Sequence, residues 1–263
     1  MSVIAEKLRI VEAIVRTPSY EVIGYTHNKL VYSSAVDGDT DLWSLDLDTF
    51  KTIRLTHGGV HSVASVRRRS PIVVYTYDVS RGRELEQVFM NEVYGDKETR
   101  LEGMRPMRIL GLGFDGDAVA LAASTEKMME LWLLRLDGEA EKIHEVGAML
   151  FVTDYNDGKI VGHGILKGDP RSYEIFIYDL KRSEFKIYTP KEGSVNRNPR
   201  VRGDLILFTT TAFGDEELAV YDAAKGRLER PKFSYRDHER YKPKGYVSFD
   251  WTPDGRVWFI GKR

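Results

Sequence analysis

The chain has 263 residues, with 39 basic and 40 acidic side chains, 42% hydrophobic residues and no cysteine. The net charge of -1 argues against the broad basic surface of a nucleic-acid or membrane-surface protein, and the lack of cysteine excludes disulfides, thiolate metal sites and a cysteine nucleophile. A single glutamine among many Glu, Lys and Arg residues is typical of a thermophilic protein. We expect a globular, cytoplasmic protein with no cofactor, no nucleic-acid partner and no membrane partner.

The first segment, residues 1–19, differs from everything that follows. Four apolar residues recur there at helical spacing: Ile4, Leu8, Val11 and Val15. Ser2 can cap the start of this helix, and Pro18 stops it. We therefore predict an amphipathic N-terminal helix. Two interpretations stay open, because such a helix either packs on its own domain or reaches a second domain or subunit.

From Tyr20 onward, short apolar runs alternate with turn sequences, which predicts β-strands. An acidic or amide residue opens an apolar strand five times, at positions 41, 87, 130, 174 and 217. This spacing of 43 to 46 residues is the period of propeller blades. Six predicted hairpin turns run in step with it: His27-Asn28, Arg69-Ser70, Asp115-Gly116, Asp157-Gly158, Arg202-Gly203 and Asp254-Gly255.

Each repeat reads as four antiparallel strands: an inner strand, a very apolar second strand, the third strand with the acidic start, and a polar outer strand such as Phe50–His57. The predicted fold class is therefore all-β, a β-propeller of four-stranded antiparallel blades over residues 20–263. The sixth repeat contains only its first two strands, Tyr246–Trp251 and Arg256–Gly261. We expect about five and a half blades, with an open edge that self-associates or is covered by another segment.

Motifs for catalysis and metal binding are incomplete. Ser80-Arg81-Gly82 has Asp78 where the nucleophile motif G-x-S-x-G needs its first glycine, so we interpret this run as a turn between strands. Asp37, Asp39 and Asp41 alternate as in a calcium-binding loop, but the glycine that such a loop requires is missing. We expect no catalytic residue and no metal site.

A family resemblance adds to these predictions. The run Trp251-Thr252-Pro253-Asp254-Gly255-Arg256 resembles the W-S-P-D-G-K blade signature of propellers attached to prolyl oligopeptidase-type serine hydrolases. More narrowly, the chain resembles the N-terminal part of archaeal acylaminoacyl peptidases, also called acyl-peptide hydrolases. The resemblance rests on the helix before the first blade and on three runs: Asp78-Val79-Ser80-Arg81-Gly82 followed by Glu84, Pro106-Met107-Arg108-Ile109-Leu110, and Thr125-Glu126.

The resemblance implies a seven-bladed propeller that covers an α/β-hydrolase domain with a Ser-Asp-His triad and admits substrates by size. Within these 263 residues we find neither the last one and a half blades nor a hydrolase domain. We therefore expect the substrate-gating propeller portion of a serine peptidase, inactive alone, whose partner is a hydrolase domain in cis or on a separate chain and whose peptide substrate binds through that domain. The alternatives are a stand-alone interaction propeller and an unrelated propeller enzyme such as a glycosidase.

The resemblance also implies three substrate-facing or domain-interface residues. Glu84 and Arg108 match positions on the active-site side, where they pair across the domain interface or meet a substrate. Phe151, on the inner strand of the fourth repeat, matches an aromatic residue that lines an apolar side-chain pocket. In the competing interpretation Glu84 lies in an exposed connection, Arg108 pairs with a neighbouring blade and Phe151 belongs to the core.

Overall fold

The computed structural model describes residues 19–59, 64–95, 97–232 and 245–262. Within these ranges the regular structure consists of β-strands, and no helix of a length and hydropathy suited to crossing a membrane is present. The predicted N-terminal helix falls outside the described residues. The chain divides into two compact units: unit 1 extends to Met107 and includes Leu136–Gly138, and unit 2 holds the residues from Arg108 onward apart from those three.

Unit 1 contains two four-stranded antiparallel sheets whose strands follow the chain order. The first sheet consists of β1 (Tyr20–Thr26), β2 (Lys29–Ser34), β3 (Asp41–Asp46) and β4 (Thr52–Arg54). The second sheet consists of β5 (Ala64–Val66), β6 (Ile72–Asp78), β7 (Glu86–Glu92) and β8 (Thr99–Arg100). The core of this unit contains fully buried side chains from both sheets, among them Val31, Leu42, Val73 and Tyr75.

Unit 2 contains three four-stranded antiparallel sheets and one pair of strands. The first of these sheets consists of β9 (Arg108–Phe114), β10 (Ala118–Ser124), β11 (Met129–Arg135) and β12 (Ala140–Val146). The second consists of β13 (Leu150–Asn156), β14 (Lys159–Gly164), β15 (Glu174–Asp179) and β16 (Glu184–Tyr188). The third consists of β17 (Asn196–Arg202), β18 (Leu205–Thr210), β19 (Glu217–Asp222) and β20 (Arg227–Glu229). The pair consists of β21 (Gly245–Trp251) and β22 (Val257–Lys262). Apolar side chains fill the space between consecutive sheets, including Leu131 and Phe176, then Ile175 and Phe208, then Leu207 and Phe249.

The predicted repeat is confirmed at the level of single strands. All six predicted turns join the first strand of a sheet to the second, and the third strands start within one residue of the predicted positions. His27 and Asn28 adopt φ angles of 44° and 60°, as a tight hairpin requires. The outer strand predicted over Phe50–His57 is wrong in length, because Phe50 has a φ of 55° in the turn before β4.

The acidic residue that recurs at the third strand holds neighbouring parts of its own blade. The fully buried Asp41 carboxylate accepts a hydrogen bond of 2.8 Å from the Thr56 hydroxyl, just beyond β4. The buried Glu174 carboxylate accepts bonds of 2.8 Å from the Leu166 backbone N–H and from the Ser172 hydroxyl. At these two positions the acidic residue that marks the repeat is a buried, hydrogen-bonded carboxylate.

Side-chain hydrogen bonds also connect the first strands of adjacent blades, β13 and β17. The buried Asp154 carboxylate accepts a hydrogen bond of 2.8 Å from the Val201 backbone N–H. The Thr153 hydroxyl donates a bond of 2.7 Å to the Pro199 carbonyl, and the Arg200 guanidinium donates to the Thr153 carbonyl. These bonds fix the relative positions of the two strands that carry the candidate site.

Candidate functional site

The loop between β6 and β7 in unit 1 carries the first predicted site residue, Glu84. The Asp78 carboxylate organises this loop by accepting hydrogen bonds from the Ser80 hydroxyl, from the Ser80 backbone N–H and from the Gly82 backbone N–H. These bonds lower the pKa of Asp78 to about 2. Ser80 therefore lies in a turn between strands, as predicted, and Glu84 is exposed with a φ of 57°.

Arg108, the second predicted residue, is the first residue of β9 in unit 2. It is exposed and lies opposite Ser124 in the pairing of β9 with β10. Glu84 belongs to unit 1, whereas Arg108 belongs to unit 2. That Glu84 and Arg108 face a hydrolase domain or its substrate stays a prediction.

Phe151, the third predicted residue, is partly buried on β13 and belongs to a row of rings in unit 2. Its ring stacks on the ring of His163 on β14, with a centroid distance of 5.4 Å and an interplanar angle of 22°. The His163 ring lies 5.8 Å from the ring of Tyr173, and the Arg197 guanidinium lies 4.7 Å from the centroid of the Tyr173 ring. With Arg200, whose charge acts on the imidazole, these residues form what we call the His163 cluster.

Two glycines place His163 against Phe151. A Cβ atom on Gly162 would lie 1.9 Å from the Phe151 carbonyl oxygen, and one on Gly164 would lie 2.2 Å from the Met149 carbonyl oxygen. Neither contact is possible for a real side chain, so the backbone of β14 needs glycine on both sides of the histidine. This close approach sets His163 directly opposite Phe151 in the register of β13 and β14.

An irregularity in β17 brings the remaining members of the cluster together. The pairing of β17 with β18 is interrupted between Arg197 and Arg200, and Asn198 has a φ of 54°. Such a bulge re-aims the backbone and the side chains next to it. Here the Asn198 backbone N–H donates to the Nδ1 atom of His163 at 3.3 Å.

Burial and positive charge determine the protonation of His163. Burial, together with the charges of Arg197 and Arg200, lowers its pKa to about 4, so the ring is neutral at pH 7. Because Nδ1 accepts the Asn198 N–H, the single ring proton is on Nε2. The cluster thus presents an imidazole N–H and guanidinium N–H groups beside aromatic rings. It contains no carboxylate, no thiol and no serine or threonine hydroxyl.

Sequence reasoning identified only Phe151 in this cluster. The sequence pattern did not single out His163, Tyr173, Arg197 or Arg200. Two signals were nevertheless present in the sequence. Glycines on both sides of a strand histidine indicate a close backbone approach, and the Asn198-Pro199 pair within a strand indicates a bulge.

Comparison with protein families gives one match that covers most of the chain. The family model described as "acylamino-acid-releasing enzyme-like, N-terminal domain" matches residues 31–263. It covers all five four-stranded sheets except β1 and the start of β2, and it also covers the last strand pair.

Solved structures share the fold of this chain at low sequence identity. The β-propeller domain of the Trilobed protease from Pyrococcus furiosus is 14% identical, with a TM-score of 0.66 over 89% of this chain and 72% of that one. The acylaminoacyl peptidase of Pyrococcus horikoshii is also 14% identical, with a TM-score of 0.63 over 89% of this chain and 40% of that one. The protein described as TolB from Agrobacterium tumefaciens is 14% identical, with a TM-score of 0.60 over 81% of this chain and 80% of that one. The predicted all-β propeller class is confirmed, and the chain spans 40% of the length of the Pyrococcus horikoshii enzyme.

Proposed function

This chain belongs to the family of acylamino-acid-releasing enzyme-like N-terminal domains, and we propose that it is the substrate-gating propeller of a cytoplasmic serine peptidase. In this role it supplies blades and binding surface, while an α/β-hydrolase domain, in cis or on a separate chain, supplies the nucleophile. The observation that carries the proposal is the family match over residues 31–263, together with five four-stranded antiparallel sheets that follow one another along the chain.

The chemistry of the described residues supports a role without catalysis. Ser80 is held by Asp78 in a loop between strands, and Asp78 occupies the position of the first glycine that a nucleophile elbow requires. The Nδ1 atom of His163 accepts a backbone N–H and the other ring nitrogen carries the proton, so neither nitrogen has a free lone pair with which to activate a nucleophile. We propose that Glu84, Arg108 and Phe151 face the hydrolase domain or its substrate.

A reconstitution experiment tests this function. The hydrolase partner is sought in the reading frame that follows Arg263, or in the adjacent one, as G-x-S-x-G followed by Asp and His. Its kcat/KM is then measured with and without this chain, on acetyl-phenylalanine p-nitroanilide and on a long acetylated peptide. We expect the chain to raise the ratio of kcat/KM on the short substrate to kcat/KM on the long substrate by about tenfold or more, because a gate excludes long substrates.

Variants of this chain provide the controls. Arg108→Gln should reduce the selectivity, whereas Arg182→Gln, which removes an exposed charge at the turn between β15 and β16, should leave it unchanged. An unchanged ratio with the native chain, or turnover of the nitroanilide by this chain alone, would contradict the proposal.

The exposed face of the last strand pair favours a second candidate, an interaction propeller that associates with its own copies. Phe249 and Phe259 pack against the sheet β17–β20, whereas Trp258 and Ile260 on the other face are 42% and 56% exposed. Exposed apolar residues on an edge strand favour pairing with another chain. Light scattering should show a mass above that of the monomer, and Ile260→Lys should abolish it while Ile187→Lys, an exposed position on β16, should not. A monomer at all concentrations would exclude this candidate.

A further inference from the structure

We propose that the His163 cluster is a binding site for a peptide carboxylate, with Arg197 as its principal contact and with Phe151 and Tyr173 beside the apolar group next to that carboxylate. The inference goes beyond the proposed function, because it concerns binding by this chain alone and needs no hydrolase domain.

The position of Arg197 is the first argument. The residue is exposed, and its guanidinium lies over the Tyr173 ring at 4.7 Å from the centroid. A cation–π contact with a ring provides no hydrogen-bond acceptor oxygen, so the planar set of guanidinium N–H donors still seeks acceptors elsewhere. Within the described ranges no carboxylate contacts Arg197, and a planar fork of N–H donors matches a carboxylate in geometry.

The balance of charge around His163 is the second argument, and it decides between anions. The neutral imidazole contributes a hydrogen-bond donor at Nε2 but no positive charge. The Arg200 guanidinium already donates to the Thr153 carbonyl oxygen. One freely directed guanidinium and one neutral donor suit a singly charged carboxylate better than a doubly charged phosphate.

The buried acids of the same strands are the third argument. Glu174 accepts hydrogen bonds from the Leu166 backbone N–H and the Ser172 hydroxyl at 2.8 Å each. Asp154 accepts one from the Val201 backbone N–H at 2.8 Å. Both carboxylates already accept hydrogen bonds within the fold, so neither is the acceptor that Arg197 lacks among the described residues. A carboxylate of a ligand can take the place of water at this guanidinium.

Calorimetric titration of this chain with three small peptides tests the inference. Acetyl-Ala-Phe carries a C-terminal carboxylate, acetyl-Ala-Phe-amide carries none, and acetyl-Glu-Phe-amide carries one on a side chain only. We expect acetyl-Ala-Phe or acetyl-Glu-Phe-amide to bind at least about tenfold more tightly than acetyl-Ala-Phe-amide, and the tighter of the two identifies the source of the carboxylate. Inorganic phosphate should compete weakly.

Two arginine variants locate the site. Arg197→Gln should weaken binding of the preferred acid by about tenfold or more, whereas Arg182→Gln, with the same change in charge, should not. Equal binding of all three peptides, no binding of any of them, equal losses in the two variants, or displacement by phosphate at the concentration of the peptide would each overturn the inference. If Arg197→Gln unfolds, the ratio of acid to amide on the native chain decides by itself. A failure here leaves the gating function untouched, since that function is measured with the hydrolase present.

Discussion

Arg54 in unit 1 and Arg197 in unit 2 both lie over an aromatic ring, yet their surroundings differ. In unit 1 the Arg54 guanidinium is 5.6 Å from the centroid of Trp43 and forms ion pairs with Asp41 and with a second carboxylate. In unit 2 the Arg197 guanidinium is 4.7 Å from the centroid of Tyr173, and no carboxylate of the described residues contacts it. An arginine over a ring is therefore held within the fold where carboxylates pair with it, as at Arg54. Where no carboxylate of the described residues pairs with it, as at Arg197, its N–H donors are available to a ligand.

The difference in burial explains why one arginine is paired with carboxylates and the other is not. Asp41 is fully buried and accepts bonds from the Thr56 hydroxyl as well as from Arg54, so its charge must be compensated inside the fold. Arg197 is exposed, and water can solvate its charge. The first arrangement contributes to folding, whereas the second leaves its interaction energy for a ligand.

The largest effect is expected from breaking the clamp in unit 1. Asp41→Ala leaves Thr56 and Arg54 without their shared acceptor and should lower the free energy of unfolding by about 2–4 kcal/mol. Asp39→Ala is the matched control, because it removes the same charge from an exposed position two residues away. Both variants are made in a protein whose other three tryptophans are replaced by phenylalanine. Trp43 is the only tryptophan of unit 1, so its fluorescence during urea denaturation then reports the unfolding of this unit. Equal losses in the two variants would show that Arg54 is not clamped through Asp41.

The sequence predicted the structural half of this comparison better than the functional half. The recurring acidic or amide residue, as at Asp41 and Glu174, revealed the repeat because it stands at the start of the same strand in successive blades. The His163 cluster occurs once and draws its members from three strands and one loop, so no periodicity marks it. Only the geometry of the bulge at Asn198 shows that Arg197 and His163 are neighbours.

An intermediate effect is expected from His163, the partly buried residue of the cluster, when the pH is changed. The pKa of His163 in the fold is about 4, below its ordinary value of 6.5, so between these values the unfolded chain takes up a proton that the folded chain does not. Stability is therefore present above pH 6.5 and is lost as the pH falls toward 4. From pH 7 to pH 5 this contribution should fall by roughly 1–2 kcal/mol.

His163→Gln isolates that contribution, because it removes the titrating group and keeps the other ionisable residues. Arg197 and Arg200 are the charged groups that act on the imidazole, and the Tyr173 ring lies beside it. Urea denaturation of both proteins at pH 7 and pH 5 gives the difference. A fall in stability that is the same in both proteins would show that His163 is not held neutral by the fold.

The smallest effect on stability is expected at Arg197 itself. Arg197→Gln removes a cation–π contact at an exposed position and leaves no buried acceptor unsatisfied, so the free energy of unfolding should fall by at most about 0.5–1 kcal/mol. Urea denaturation followed by circular dichroism measures this change alongside Asp41→Ala. A loss as large as that of Asp41→Ala would mean that Arg197 is a clamp like Arg54 and that its donors are already satisfied by the protein. A small loss in stability, combined with a large loss in carboxylate binding, would show that Arg197 acts in binding, whereas Asp41 acts in folding.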